Sequence, residues 1–376
     1  MRAALAAAVV CAAVGCGRCG SDQPGGEARG PDDRGGAGAR APAPDSRRVI
    51  DFHTHIDPST IADAVALFDR HGIAVAVNLS GGAPGAGLEQ QLAAAARFPG
   101  RVVVFTTPRW SLARTGPGYG ARMADDLEAA HRLGARGLKI TKGLGLAYTD
   151  ATGALIAVDS PELDPLFERA GQLGMPVAIH TGDPIAFWRP VDRDNERYAE
   201  LSAHPRWALY GRPVPSWDEL QAALERRIAR HPRTAFVSVH FGNAPEHPER
   251  VGALLDRYPN LFIDTAARIP EIGRHPPSEL RALFLRHPDR ILFGTDLGIG
   301  PGHLVLGSSG PEPPTDADVE RFFGATWRYF ETADRDFPHP TPIQGAWTVS
   351  GLDLPDASLD ALYRQNAAHL LQIRLP

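Results

Sequence analysis

The chain has 376 residues, 43% hydrophobic and 22% charged, with a formal net charge of -5. That composition can fill one large core, suits a single α/β barrel with appendages, and lacks the basic footprint of a nucleic-acid binder. Its three cysteines, Cys11, Cys16 and Cys19, all precede residue 20, which excludes a disulfide, a cysteine nucleophile or a thiolate metal ligand from the body.

Met1-Arg2 and the apolar run Ala3 to Ala13 read as the start of an export signal, too short to span a membrane as a mature helix. Ala13-Val14-Gly15-Cys16 has the small residues of a bacterial lipobox, with Cys16 as the lipidated residue. Ala13 is a weaker choice there than leucine, so cleavage without a lipid is the alternative. Residues 1–16 are therefore expected to be a lipoprotein-like signal peptide, and 17–47, rich in Gly and Pro, a disordered tether. The expected location is the cell envelope of a bacterium, with the membrane touched only through the N-terminal lipid.

From residue 48 to 376, β-rich runs alternate with amphipathic helical patterns, the signature of βα units and a parallel sheet. Eight runs qualify: Val49 to Phe52, Ile73 to Leu79, Val102 to Thr106, Gly137 to Thr141, Val177 to His180, Phe236 to His240, Leu261 to Asp264 and Ile291 to Thr295. Gly72, Gly134 and Gly174 follow helical patterns as left-handed caps. Eight repeats predict an α/β fold, a (β/α)8 TIM-type barrel. No Gly-x-Gly-x-x-Gly follows the first strand, against a dinucleotide site. Two pieces exceed the barrel: an aromatic and Arg-rich insertion, 183–215, expected to cover the mouth as a lid, and a loop-rich extension, 298–350.

Several strands end in chemistry. His53 and His55 close the first and share a face by alternation. Lys139 lies on the fourth, and His180, His240 and Asp296 end the fifth, sixth and eighth. Alternation predicts that Lys139 faces inward with Gly137 and Thr141, and His180 with Ala178. It also puts His240 on one face with Ser238, and Val237 and Val239 on the other. Each residue alone has an ordinary structural explanation. Together, at the C-terminal ends of different strands, they point to one metal centre in the mouth.

The segments Asp51-Phe52-His53-Thr54-His55, Gly137-Leu138-Lys139, His180-Thr181-Gly182-Asp183-Pro184, Val239-His240-Phe241-Gly242, Phe293-Gly294-Thr295-Asp296 and Tyr363-Arg364-Gln365-Asn366-Ala367-Ala368 resemble the amidohydrolase superfamily. The likeness is nearest to its amidohydrolase-related branch of single-metal hydrolases and decarboxylases, and runs from about Val49 to Leu371. The resemblance implies that His53, His55, His180 and Asp296 hold a divalent metal, zinc by preference. It also implies that His240 polarises substrate or moves a proton, and that Asp296 takes the proton of metal-bound water. Zinc lowers the pKa of bound water to about 7. Lys139 either bridges two metals as a carboxylated lysine or contacts an anionic substrate. One metal per chain is favoured, with two as the alternative.

Arg109 after the third strand and Arg268 after the seventh are candidate substrate clamps, each with a loop salt bridge as its structural alternative. Trp188, Arg189, Asn195, Glu196 and Arg197 are candidate lid residues. The reading is a metal-dependent hydrolase cleaving an ester, lactone, amide or phosphoester of a small molecule. Its rivals are a non-oxidative decarboxylase of an aromatic or unsaturated acid, and a non-catalytic surface binding protein on the same scaffold.

Overall fold

The structure is a computed structural model that describes residues 48–310 and 312–374. The expected signal peptide, Cys16 and the 17–47 tether lie outside the described residues. Ten strands form one curled, mostly parallel sheet, ordered β10-β9-β1-β2-β3-β4-β5-β6-β7-β8. They are β1 (Val49–Ile56), β2 (Ile73–Asn78), β3 (Val102–Thr106), β4 (Gly137–Ile140), β5 (Val177–Ile179), β6 (Phe236–Ser238), β7 (Leu261–Asp264), β8 (Ile291–Leu292), β9 (Leu297–Gly300) and β10 (His303–Leu306). The eight expected strands are all present.

The sheet curls until its ends meet. β8 and β9 are one run interrupted at 293–296, and that run lies along β1. The Phe52 N–H donates to the Phe293 carbonyl and the Asp296 N–H to the His53 carbonyl, each at 2.9 Å. The architecture is a curled α/β sheet consistent with the TIM-type expectation.

Two layers of apolar side chains hold it. Outward strand residues such as Val104, Leu138, Ile140, Val177, Ile179 and Ile263 pack against the helices. Inward residues Ile50, Phe52, Val75, Val77, Phe105, Ala178, Val237 and Leu292 form a second cluster. Gly137 permits the second: a Cβ there would lie 2.2 Å from the Phe105 ring. Ala367 and Leu371, on the last helix Asn366–Leu371, close this cluster from below. Asn366 donates to the carbonyls of Pro288 and Ile291 at 2.8 Å, fixing that helix to the start of β8.

The extension departs from the loop expected after residue 298. Leu297–Gly300 and His303–Leu306 pair antiparallel as a hairpin. The turn is Pro301-Gly302, with Gly302 at φ +62°, the left-handed conformation that glycine takes without strain. The long helix Asp316–Glu331 follows, started by a Thr315–Asp318 capping box.

The 183–215 insertion is built around Phe187, Leu201 and Leu209. Arg197, wholly buried, bonds Glu200 at 2.9 Å and also contacts Glu271, after β7. Glu200 in turn accepts from Ser308, and the His204 ring bonds the Ser309 carbonyl at 2.8 Å. The insertion is thus fastened to two other segments by buried polar contacts. Of its candidate lid residues, Arg197 serves this fastening, Asn195 bonds the Ala186 and Pro190 carbonyls and the Arg197 N–H inside the insertion, and Glu196 pairs with Arg274.

Candidate metal centre in the mouth

His53 and His55 reach the same space because of a register shift in β1 between Asp51 and Thr54 as well as by alternation. His53 is wholly buried. Its Nδ1–H donates to Asp264 Oδ2 at 2.8 Å, which leaves the Nε2 lone pair facing the mouth. The His55 Nδ1 is held by Ser80 Oγ at 2.6 Å. The Nε2 atoms of His53 and His55 each lie 3.4 Å from Asp296 Oδ1. Lys139, buried, places its Nζ 3.4 Å from His53 Nε2.

Backbone strain aims two of these groups. His240 and Phe241 both sit at φ +56°, Ala267 at +55° and Asp296 at +64°. Non-glycine residues pay about 1–3 kcal/mol for such conformations, which persist where surrounding structure imposes them. The alternation predicted for β6 is corrected here. Val237 and Val239 belong to the inward cluster, so Ser238 takes the opposite face. His240 reaches the site through the left-handed turn that follows. That turn is held by Asn243, whose Oδ1 accepts the Thr181 N–H at 2.9 Å and whose Nδ2 donates to Ser238 Oγ at 2.8 Å. His240 Nδ1–H donates to the Ala266 carbonyl at 3.0 Å, leaving Nε2 as a lone pair. The His180 and His240 rings lie 4.3 Å apart, and His180 Nε2 is buried without a hydrogen-bond partner.

At Gly294 a Cβ would stand 3.0 Å from the His53 Cβ and 3.2 Å from the Ala266 Cβ, a tight fit that favours glycine where the chain passes β1. Asp51 ties the same two strands, accepting from Thr295 Oγ1 at 2.5 Å, Thr295 N at 3.1 Å and His53 N at 3.1 Å.

The electrostatics follow from burial. Loss of water pushes the imidazoles of His53, His180 and His240 well below the usual range, with nearby cations adding to the effect, so they stay neutral bases. Burial also opposes the charge on Asp296, but His53, His55 and His240 around it hold the carboxyl below its usual range and keep it ionised. Burial draws the Lys139 ammonium down to about 8, against the pull of Asp264 and Asp296.

Among the described residues, two donor sets converge within 4.8 Å: His53, His55 and Asp296; and His53, His240 and Asp264. Geometry favours the first. Asp264 Oδ1 already accepts from the His240 and Ala266 N–H groups, at 2.7 and 3.2 Å, and Oδ2 from His53, so its oxygens are occupied. Asp264 instead orients a ligand, the role carboxylates take behind metal-bound histidines. His180 belongs to neither set, though its orphaned Nε2 needs a partner of this kind. Neutral imidazoles with free Nε2 atoms and an ionised carboxylate suit a divalent cation.

Asp264 was legible only as the end of the seventh run. Asn243, Ser80 and the Asp51–Thr295 link carry no sequence signal. Lys142 bonds both oxygens of Asp183 at 2.9 Å, and that carboxylate lies 3.9 Å from His180 Nε2. Arg109 is engaged by Asp126 through Nε at 2.9 Å and through Nη2, the salt-bridge alternative of the sequence reading. Arg268 is buried, and its Nη1 donates to the Ala267 carbonyl at 2.9 Å.

A family model described as Amidohydrolase matches residues 50–373. Among solved structures, 2,6-dihydroxybenzoate decarboxylase from Rhizobium is 18% identical, covering 87% of this chain and 99% of its own, with a TM-score of 0.50. A protein from Staphylococcus aureus assigned as an amidohydrolase is 14% identical, covering 86% and 99%, at 0.51. One from Pseudomonas putida, assigned as a 2-pyrone-4,6-dicarboxylic acid hydrolase, is 16% identical, covering 88% and 99%, at 0.47. At these identities the likeness to the first two is one of fold. No curated protein matches the sequence.

Proposed function

The chain belongs to the amidohydrolase family, and we propose that it is a metal-dependent hydrolase with its centre at His53, His55, His180 and Asp296. One divalent cation, zinc by preference, would be held there, supplying Lewis acidity and lowering the pKa of water. The observation that carries the reading is the position of Asp296 Oδ1, 3.4 Å from the Nε2 atoms of both His53 and His55.

Hydrolysis needs a base for the attacking water and then an acid for the leaving group. Asp296 fits both roles in sequence: ionised, it accepts a proton; once protonated, it returns that proton to the departing atom. Decarboxylation instead needs a proton delivered to the carbon that loses CO2. His240 spends its Nδ1–H on the Ala266 carbonyl, and burial disfavours a second proton at Nε2. That nitrogen is an acceptor, suited to orienting water or a substrate hydrogen.

Incubation of candidate esters, lactones, amides and phosphoesters in 18O-labelled water tests this. The expected outcome is one 18O in the product of a cleaved bond. Release of CO2 from a carboxylic acid with no 18O uptake would replace hydrolysis by decarboxylation. Lys139 in this reading is a cationic neighbour of a single metal; two metals per chain falling to one in Lys139→Ala would establish the bridge instead. We further propose export and lipidation at Cys16, tested by palmitate labelling of wild type against Cys16→Ala; equal labelling refutes the lipid anchor.

A further inference from the structure

In a parallel sheet every strand is entered from the same side, so the loops leading into β1 to β8 share the face opposite the metal centre. Their charge is one-sided. Residues 48, 71–72, 96–101, 134–136, 173–176, 231–235, 258–260 and 287–290 hold six arginines, Arg48, Arg97, Arg101, Arg136, Arg233 and Arg290, and one carboxylate, Asp289. The whole chain has a formal net charge of -5, so this face opposes the protein's overall balance. The helix dipole favours a cation within a helix's last turn, and these arginines lie beyond it, in the loops.

Few of the six are neutralised. Arg101 pairs with Asp69 at 2.6 Å, and Arg290 lies 3.5 Å from Asp289. Arg136 donates to the Leu371 carbonyl at 3.3 Å, and Arg97 lies over the Phe98 ring. Arg48 and Arg233 are exposed and have no side-chain partner among the described residues.

Apolar groups share the face. The helices run back toward it, and the exposed Leu133 and Leu285 sit in the last turns of Tyr119–Leu133 and Pro277–Arg286. A cleft of about 240 Å³ lies there too, lined by Met175, Pro176, Phe262 and Leu370 beside Arg233 and His369. The sealing helix Asn366–Leu371, with 6 residues, is too short to cover the entries to β5, β6 and β7. The chain enters the fold on the same side, at Arg48, so residues 1–47, with the expected lipidation site Cys16, are joined to this face.

We propose that this strand-entry face docks on a membrane surface that carries anionic phospholipids. Unpaired arginines near such a surface are attracted to it and match its phosphate groups. Exposed leucines among them gain from a bilayer and gain nothing from a soluble polyanion, which decides between the two. The body itself then touches the membrane, where the sequence reading had contact only through an N-terminal lipid. Docked this way, the protein turns its metal centre to the aqueous side, and substrate reaches it from water. The inference goes beyond the hydrolase reading and rests neither on it nor on lipidation.

The test is sedimentation of the full chain with vesicles of phosphatidylcholine alone or mixed with phosphatidylglycerol. The chain carries Cys16→Ala, so that no lipid of its own contributes. Vesicles with phosphatidylglycerol should bind it more tightly, and the excess should vanish at about 1 M salt, where screening leaves a reach of about 3 Å. Arg48→Gln and Arg233→Gln should each weaken binding about fivefold, with melting unchanged, since neither side chain has a partner. Leu133→Gln with Leu285→Gln should weaken it as well. Arg193→Gln with Arg206→Gln, two exposed arginines of the insertion at the opposite end, should leave it as it is. Equal binding to the two kinds of vesicle, wild-type binding by the Arg48/Arg233 double variant, or an equal loss in the Arg193/Arg206 pair would overturn the proposal. Salt-dependent self-association without vesicles, lost in the Arg48/Arg233 variant, would give the face to a second copy. Binding of polyphosphate that matches vesicle binding and ignores the leucine changes would give it to a soluble polyanion. Either result would overturn membrane docking. Intact docking by a protein that cleaves nothing would defeat the hydrolase reading alone.

Discussion

The two halves of the interior of the curled sheet are made by the same strands and do opposite things. In the lower half, Ile50, Phe52, Val75, Val77, Phe105, Ala178, Val237 and Leu292 form an apolar cluster sealed by Ala367 and Leu371. In the upper half, His53, Lys139, His240 and Asp264 are almost equally buried but polar, and His240, Phe241, Ala267 and Asp296 are left-handed. The lower half gains from every contact it makes. The upper half carries desolvated imidazoles, a lysine drawn down to about 8 and strained turns, and the lower half supplies the stability that holds it in place.

The sharpest way to break this division is Asp296→Asn. It should leave the melting temperature close to wild type and reduce turnover on any accepted substrate by on the order of 10^2 to 10^4. A variant that lost stability instead would show Asp296 to be a structural residue. The reciprocal change is Phe52→Ala in the lower cluster. Phe52 is fully buried and meets Phe105 edge-on at 5.6 Å. Its removal should cost about 3–5 kcal/mol in denaturant unfolding, while the folded fraction keeps its metal content. Metal loss from a protein still fully folded would mean the two halves are not separable in this way.

Lys139 tests the upper half's expense directly. Its ammonium is buried and its pKa falls to about 8, below that of an unfolded lysine. Between those values the unfolded chain binds more protons, so metal-free wild type should gain stability as pH rises from about 8 to 10.4. Below pH 8 the full penalty applies, on the order of 3 kcal/mol. Lys139→Met should lack this dependence. Parallel pH–stability curves for the two metal-free proteins would show that the lysine is solvated.

How legible each half was follows from the physics that makes it. The lower half was written in alternation, and eight apolar runs located eight strands. That His53, His55, Lys139 and Asp296 gather in one place was legible because the ends of parallel strands in a curled sheet converge. His240 was found for a partly mistaken reason: alternation put Val237 and Val239 outward, while a left-handed turn at His240 and Phe241 does the aiming. Positive φ at histidine or phenylalanine leaves no mark in residue type. Nor could the sequence say that Arg109 is taken by Asp126, or that the Arg268 side chain bonds the adjacent Ala267 carbonyl. The hairpin at β9–β10 was missed because its glycines and Pro301 read as a loop, although Leu297, Ile299, Leu304 and Leu306 alternate through it.

Asp264 joins the two halves, and its substitution should have the smallest and most specific effect. Its Oδ1 accepts the backbone N–H groups of His240 and Ala266, while Oδ2 accepts Nδ1–H of His53. In Asp264→Asn the amide oxygen keeps the two backbone bonds, and the amide nitrogen then faces His53 Nδ1. Two donors cannot share that contact, so His53 must move its proton to Nε2, the atom that faces Asp296 and His55. A lone pair is lost where a metal ligand is needed, although shape and burial barely change. Competition with a calibrated chelator should therefore show metal affinity reduced about 10- to 100-fold, with unfolding otherwise similar. Unchanged affinity would mean that His53 does not present Nε2 to the metal, and that the second donor set, with Asp264 itself as a ligand, deserves the site.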